Sequence, residues 1–275
     1  MPENEIDLSF LCDLLREAGR LALGQRGQWI AESKADHSPV TVVDRQVETL
    51  LIERIAARYP EHLILSEESG LRVTDLMTGS GAGGQAEYAW AIDPIDGTRA
   101  FASGLPVWGI SAGVLRNGRP WAGGFYLPVT DEMYWGSFDE SHEPDGPAQA
   151  WYNQQRISRL AAPDPDSMLT FLAVPSEFHH HFEVTAPRIR SMGSTAAHLA
   201  YVATGAALGM LTRKTNLWDI AGVLPLAQAV GVKLVYLSGR PFSAGELLDG
   251  LPIREALVAA HPDALPELLA SVRLK

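Results

Sequence analysis

Apolar residues recur at helical spacing through residues 5–23, where Phe10, Leu11, Leu14, Leu15, Ala18, Leu21 and Ala22 fall on one stripe before Gly24 and Gly27. A polar stretch over 33–44 feeds a second helical pattern, with Val47, Leu50, Leu51 and Ile55 on one face. Short apolar runs then predict strands at 62–66, 88–92, 107–115, 121–127 and 131–136. Asn117-Gly118 between two of them is a hairpin signal, so an antiparallel meander is expected. Residues 139–149 are polar and rich in breakers and read as a linker or long loop. Further on, strands at 169–174, 188–192, 206–211, 232–237 and 256–260 alternate with helices at 193–204, 218–230 and 264–272, an α/β pattern. The boundary is placed near 161–165, giving an α+β domain over 1–162 and an α/β domain over 163–275. Residues 71–87, with the Gly-rich run 78–84, have no periodicity and predict a mobile surface loop able to cover a site.

A chain of 275 residues, 46% hydrophobic and 20% charged, has globular composition and enough length for a substantial core. No apolar run is long enough for a bilayer, and the acidic start (Glu3, Glu5, Asp7) is unlike a signal peptide, so no membrane association and a cytoplasmic location are expected. The single cysteine, Cys12, excludes an internal disulfide or thiolate cluster and reads as inert helix packing. A net charge of −11 argues against nucleic-acid binding, though acids that hold cations would be neutralised in part when loaded.

The chemistry centres on Asp93-Pro94-Ile95-Asp96-Gly97-Thr98, placed where the strand 88–92 is expected to stop. Pro94 stiffens the turn between two carboxylates, and Gly97 lets an oxyanion approach the backbone N–H groups. Hard oxygen ligands on a tight turn suit Mg²⁺. Three more acidic groups follow strand or helix boundaries: Asp44, Glu67-Glu68 and Asp219. Each also has an ordinary structural role. Asp44 fits an N-cap or first-turn acid, Glu67-Glu68 a solvated pair, Asp219 a helix-dipole partner, and Asp-Pro and Asp-Gly are common turn chemistry. His179-His180-His181 looks like a metal site, but consecutive side chains diverge, which favours a structural or surface role.

The run Asp93–Thr98 resembles the signature of the inositol monophosphatase-like, Mg²⁺-dependent, lithium-sensitive phosphatases. The likeness extends in order to Lys34…Thr41…Asp44, Ser66-Glu67-Glu68-Ser69, Gly193-Ser194-Thr195 and Trp218-Asp219-Ile220-Ala221-Gly222. It implies a layered αβαβα sandwich, of α+β or α/β class, with the site between the two halves. It further implies hydrolysis of inositol monophosphate or a similar sugar or polyol phosphate by direct attack of a metal-activated water. Glu67, Asp93 and the Ile95 carbonyl would hold one Mg²⁺, and Asp93, Asp96 and Asp219 a second. A third would lean on Glu67. Asp44 and Thr98 would orient and deprotonate the water, with Glu67 counted among the catalytic groups. The N–H groups of Gly97 and Thr98 would receive the phosphate. Gly193, Ser194 and Thr195, with Asp96 and Asp219 beside them, would meet the organic part. A homodimer is implied by resemblance alone.

An acid common in inositol-specific relatives shortly before the Trp-Asp pair is missing; Thr212, Arg213 and Lys214 stand there. Arg213 could meet a second phosphate. Histidinol phosphate, 3′-phosphoadenosine 5′-phosphate and fructose 1,6-bisphosphate are therefore alternative substrates, and a non-catalytic regulatory partner is the alternative from another class.

Overall fold

The computed structural model describes residues 6–25, 32–33, 39–69, 87–138, 148–164, 167–186 and 188–275. Lys34, Asp36 and the Gly-rich run 78–84 lie outside the described residues.

A seven-stranded sheet runs in the order Leu63–Ser66, Tyr88–Asp96, Gly109–Arg116, Arg119–Leu127, Glu132–Ser137, Gln149–Tyr152, Gln155–Arg156. Only the first pair is parallel; the rest form the expected meander. Asn117 and Gly118 both have positive φ, the backbone that a two-residue hairpin needs to match strand twist. Side-chain alternation assigns the two faces. Trp90 and Ile92 join the helices Leu8–Gly24 and Val42–Arg58 in one core, whereas Ala91 and Phe125 face the opposite way.

On that opposite side lie Thr195–Ala203, Trp218–Ala221 and Leu224–Ala229. A five-stranded sheet covers them in the order Ile189–Arg190, Leu172–Ala173, Gly209–Thr212, Leu257–Ala260, Lys233–Tyr236. Its Met210 and Ala259 point inward to these helices, while Leu211, Val258 and Ala260 pack outward around Leu268 of the helix Leu265–Ser271. The stack is helix, sheet, helix, sheet, helix: the expected αβαβα sandwich. One apolar cluster runs from Phe125 and Tyr134 through Leu199 to Leu257, drawing on residues either side of 162.

Several expected elements differ. The strand thought to stop at Ile92 continues through Asp96. The helix expected over 218–230 breaks after Ala221, because Pro225 has no N–H for the Ala221 carbonyl. The strand over 169–174 shrinks to Leu172–Ala173; the Arg188 guanidinium takes the carbonyls of Ser167 and Thr170 instead. The strand over 206–211 begins only at Gly209, since the Ala207 amide closes a turn on Tyr201. Val272 leaves the last helix to pair, within Val272–Leu274, with Phe182–Val184.

Candidate active site

Asp93 pairs with Ser111 and Asp96 with Gly109, so the strand carries one extra residue between them, a bulge. Pro94 suits it because the ladder needs no donor there. The bulge turns both carboxylates to one end of the sheet, and the Ile95 N–H donates back to Asp93 Oδ1 at 3.0 Å. Gly97 follows at φ 97°, where a Cβ would lie 3.1 Å from the Gly193 carbonyl oxygen, so two loops meet backbone to backbone. The one-turn helix Thr98–Ala102 starts there.

Asp44 occupies the third position of the helix Val42–Arg58 and forms a reciprocal cap with Thr41. The Thr41 N–H and hydroxyl donate to its Oδ2 at 2.8 and 2.5 Å. Its other oxygen, Oδ1, lies 3.2 Å from the Thr98 hydroxyl, which is also 3.1 Å from the Ile95 carbonyl. A single proton serves one of these acceptors at a time.

Glu67 begins the turn after Leu63–Ser66, and its N–H donates to the Ile92 carbonyl at 3.3 Å, beside Asp93. Asp96 reaches across to the second sheet's helix: Ser194 Oγ (2.5 Å), Ala196 N–H (2.7 Å) and Thr195 N–H (3.1 Å) all donate to it. Ser194 is buried and its hydroxyl also caps Ala197, so that side chain is occupied by the protein; Thr195 is half-buried and Gly193 exposed. Asp219 accepts from the Asn216 N–H at 2.7 Å and is half-buried. Its helix lies almost on the sheet backbone. A Cβ on Gly113 would stand 2.2 Å from the Ala221 carbonyl oxygen, and one on Gly222 2.5 Å from that of Gly124.

The electrostatics follow from burial. Asp93, 2% exposed, has its carboxyl held well above the ordinary range, first by burial and then by the charges of Glu67, Asp96 and Asp219. Burial raises Asp96 to about 6 despite its three donors. Asp44 is raised too, by burial and by Glu67, against the hydrogen bonds of Thr41 and Thr98. Asp93, Asp96, Glu67 and Asp219 thus share one field, the arrangement in which divalent cations reverse an unfavourable balance. Among the described residues no three Asp, Glu, His or Cys side chains form a ready-made coordination cluster. It is the donor chemistry, carboxylate oxygens of one sign on buried and half-buried residues, that fits a hard divalent cation.

Arg213 is half-buried on the loop leading to Asp219, with Nη1 3.3 Å from His181 Nε2. The His triple sits at the molecular surface on the one-turn helix Phe178–His181, in keeping with a surface role. Cys12 is buried, and burial raises its thiol to about 11, so it is inert packing.

Sequence reasoning missed Glu48. This buried carboxylate accepts the Ser66 hydroxyl and the N–H groups of Glu68 and Ser69. The available signal was its position four residues after Asp44, on the same helix face.

A model of the inositol monophosphatase family matches residues 4–273. A fructose-1,6-bisphosphatase/inositol-1-monophosphatase of Aquifex aeolicus is 30% identical over 80% of this chain and 80% of its own length. A histidinol-phosphatase of Chlorobaculum parvum is 27% identical over 97% of this chain and 96% of its own. Among solved structures, a Thermotoga maritima IMPase superposes with a TM-score of 0.75 at 24% identity, covering 96% of this chain and 95% of that one.

Proposed function

The chain belongs to the inositol monophosphatase family and is a phosphoric monoester hydrolase; from that premise we propose that it cleaves inositol monophosphate or a similar polyol or sugar phosphate with Mg²⁺. The observation that carries this reading is Asp93, buried under the fields of Glu67, Asp96 and Asp219. Glu67, Asp93 and the Ile95 carbonyl would hold one cation, Asp93, Asp96 and Asp219 another, and Glu67 a third. Bound there, divalent cations neutralise the acids, lower the pKa of water and stabilise the leaving oxygen.

The chain's own groups do the rest. The Thr98 hydroxyl takes a proton from the attacking water while passing its own to Asp44 Oδ1, 3.2 Å away. Burial makes Asp44 a stronger base than a solvated aspartate. The N–H groups of Gly97 and Thr98 lie in the first turn of a helix, where no intrahelical acceptor exists, and receive the phosphate oxygens. Gly193 and Thr195 border the organic part of the substrate.

A second reading keeps the chemistry and changes the substrate to a bisphosphate, because Arg213 and Lys214 stand where an acid would otherwise be. A screen of inositol, sugar, histidinol and nucleotide phosphates, with Mg²⁺ and with EDTA, tests both. Turnover of none, or turnover unaffected by EDTA, would refute the first. Absence of any bisphosphate preference would refute the second, and a preference that survives Arg213→Ala would remove Arg213 from it. On the family resemblance alone we further propose inhibition by millimolar Li⁺, a homodimer testable by light scattering, and a cytoplasmic location. A purely regulatory role is disfavoured by the intact set Asp44, Glu67, Asp93, Asp96, Thr98 and Asp219.

A further inference from the structure

Asp44 and Glu48 lie one turn apart on the same face of the helix Val42–Arg58, and both are buried. Asp44 serves Thr98. Glu48 serves the other side of the site: its Oε1 accepts from the Ser66 hydroxyl, the Glu68 N–H (3.1 Å), the Ser69 N–H (3.0 Å) and the Ser69 hydroxyl (3.3 Å). These donors bracket Glu67, one residue before it and two after. The Glu67 N–H is itself tied to the Ile92 carbonyl, next to Asp93. Glu67 is therefore fixed between two references, the helix that carries Asp44 and the strand that carries Asp93.

A carboxylate is an expensive choice for that position. It is buried within the field of Glu67, and an apolar side chain would fill the space without charge repulsion. What an apolar residue lacks is the capacity to take several converging donors while presenting none of its own. Helix stability and core packing do not require this; orientation of the Ser66–Ser69 turn does.

We propose that Glu48 is a positioning residue for Glu67 and, through it, sets the affinity of the site for divalent cations, an inference that rests on the metal-dependent reading above. Glu48→Ala removes the acceptor, whereas Glu48→Gln keeps a carbonyl oxygen at the same reach. With substrate absent, calorimetric titration with Mg²⁺ should show Glu48→Ala binding at least about tenfold more weakly than the wild type, the scale seen when a residue supporting a metal ligand is lost. Glu48→Gln should stay within about threefold, a change no larger than one neutral hydrogen bond. At saturating Mg²⁺ both variants should recover the wild-type KM, which a general loss of structure would not allow.

A folded Glu48→Ala that binds Mg²⁺ as tightly as the wild type would overturn the role. Should Glu48→Ala fail to fold, Ser66→Ala combined with Ser69→Ala leaves Glu48 in place and removes two donors. That double variant should bind Mg²⁺ about threefold more weakly, the scale of a lost hydrogen bond, and unchanged binding would overturn the role equally. Wild-type protein that binds no Mg²⁺ would overturn the metal-dependent reading itself and this inference with it. Normal binding by wild type and variant alike removes only Glu48 from the account.

Discussion

Asp96→Asn separates the cost of the site's charge from its use. Burial moves the Asp96 carboxyl from 3.8 to about 6, so between those values the native chain keeps a proton that the unfolded chain has lost. Stability of the cation-free protein therefore falls as pH rises through that window, and is level above it. A shift of this size is worth ~3 kcal/mol at neutral pH. Other groups titrate nearby: burial pushes His62 and His198 down to about 4, which makes stability rise with pH over much of the same range. The total profile of the wild type is thus uninformative, but the difference between wild type and Asp96→Asn cancels the histidines. The amide brings a fixed penalty of about 1–3 kcal/mol, because one of its two ends opposes the donors of Ser194, Thr195 and Ala196. That penalty does not depend on pH. Urea unfolding in EDTA at intervals from pH 4 to 7.5 should show Asp96→Asn gaining on the wild type as pH rises, by ~3 kcal/mol from Asp96 itself by about pH 6 and further through Asp93, which no longer feels the Asp96 charge. Excess Mg²⁺ should restore the wild type by ~2.7 kcal/mol at a hundredfold excess over Kd, and the variant by less. A difference that stays flat with pH in EDTA would refute the reasoning.

Other substitutions probe the remaining parts. Asp93→Asn should abolish turnover while leaving the circular dichroism spectrum intact; residual activity near wild type would exclude a bridging role. Thr98→Ala breaks the path from water to Asp44, so kcat should fall about a hundredfold or more, with KM little changed in steady-state kinetics. Gly222→Ala places a Cβ 2.5 Å from both the Gly124 carbonyl and Ser111 Oγ. It should cost about 1–3 kcal/mol in urea unfolding and raise the Mg²⁺ concentration for half-maximal activity, because Asp219 rides on the displaced helix.

The sequence was most legible where one interaction dominates. The stripe Leu11, Leu14, Leu15, Ala18 located a helix because burial of one face decides its formation, and Asn117-Gly118 located a hairpin because few residues accept positive φ twice running. It was least legible where absence of a side chain matters. Gly113 and Gly123 carry no hydrophobic signal, yet they let the segment that carries Asp219 rest on the sheet backbone. The pairing of Phe182–Val184 with Val272–Leu274 joins segments far apart in the chain, which no local pattern encodes. Glu48 escaped for a different reason: a glutamate in a helix reads as solvent-facing, and its burial depends on donors that arrive only with the Ser66–Ser69 turn.

The acids of the site also show why structural and functional readings of a single residue need not compete. Asp44 caps its helix through Oδ2, and that bond is what points Oδ1 at Thr98. Asp96 accepts the opening N–H groups of Thr195–Ala203, and that grip holds its charge where Asp93 feels it. Asp219 anchors the Asn216 amide while its field, too, bears on Asp93. Asp44 and Asp219 each have an ordinary local job, whereas Asp96 ties together segments 98–100 residues apart, and in each case the bonds fix the carboxylate's orientation without supplying a counter-charge. The local capping and turn bonds of Asp44 and Asp219 could be kept by any arrangement of these segments. Only their convergence on a residue as buried as Asp93 gathers acids of one sign in a way that folding alone does not explain, and that gathering is the ground on which a cation-dependent chemistry is proposed for the site.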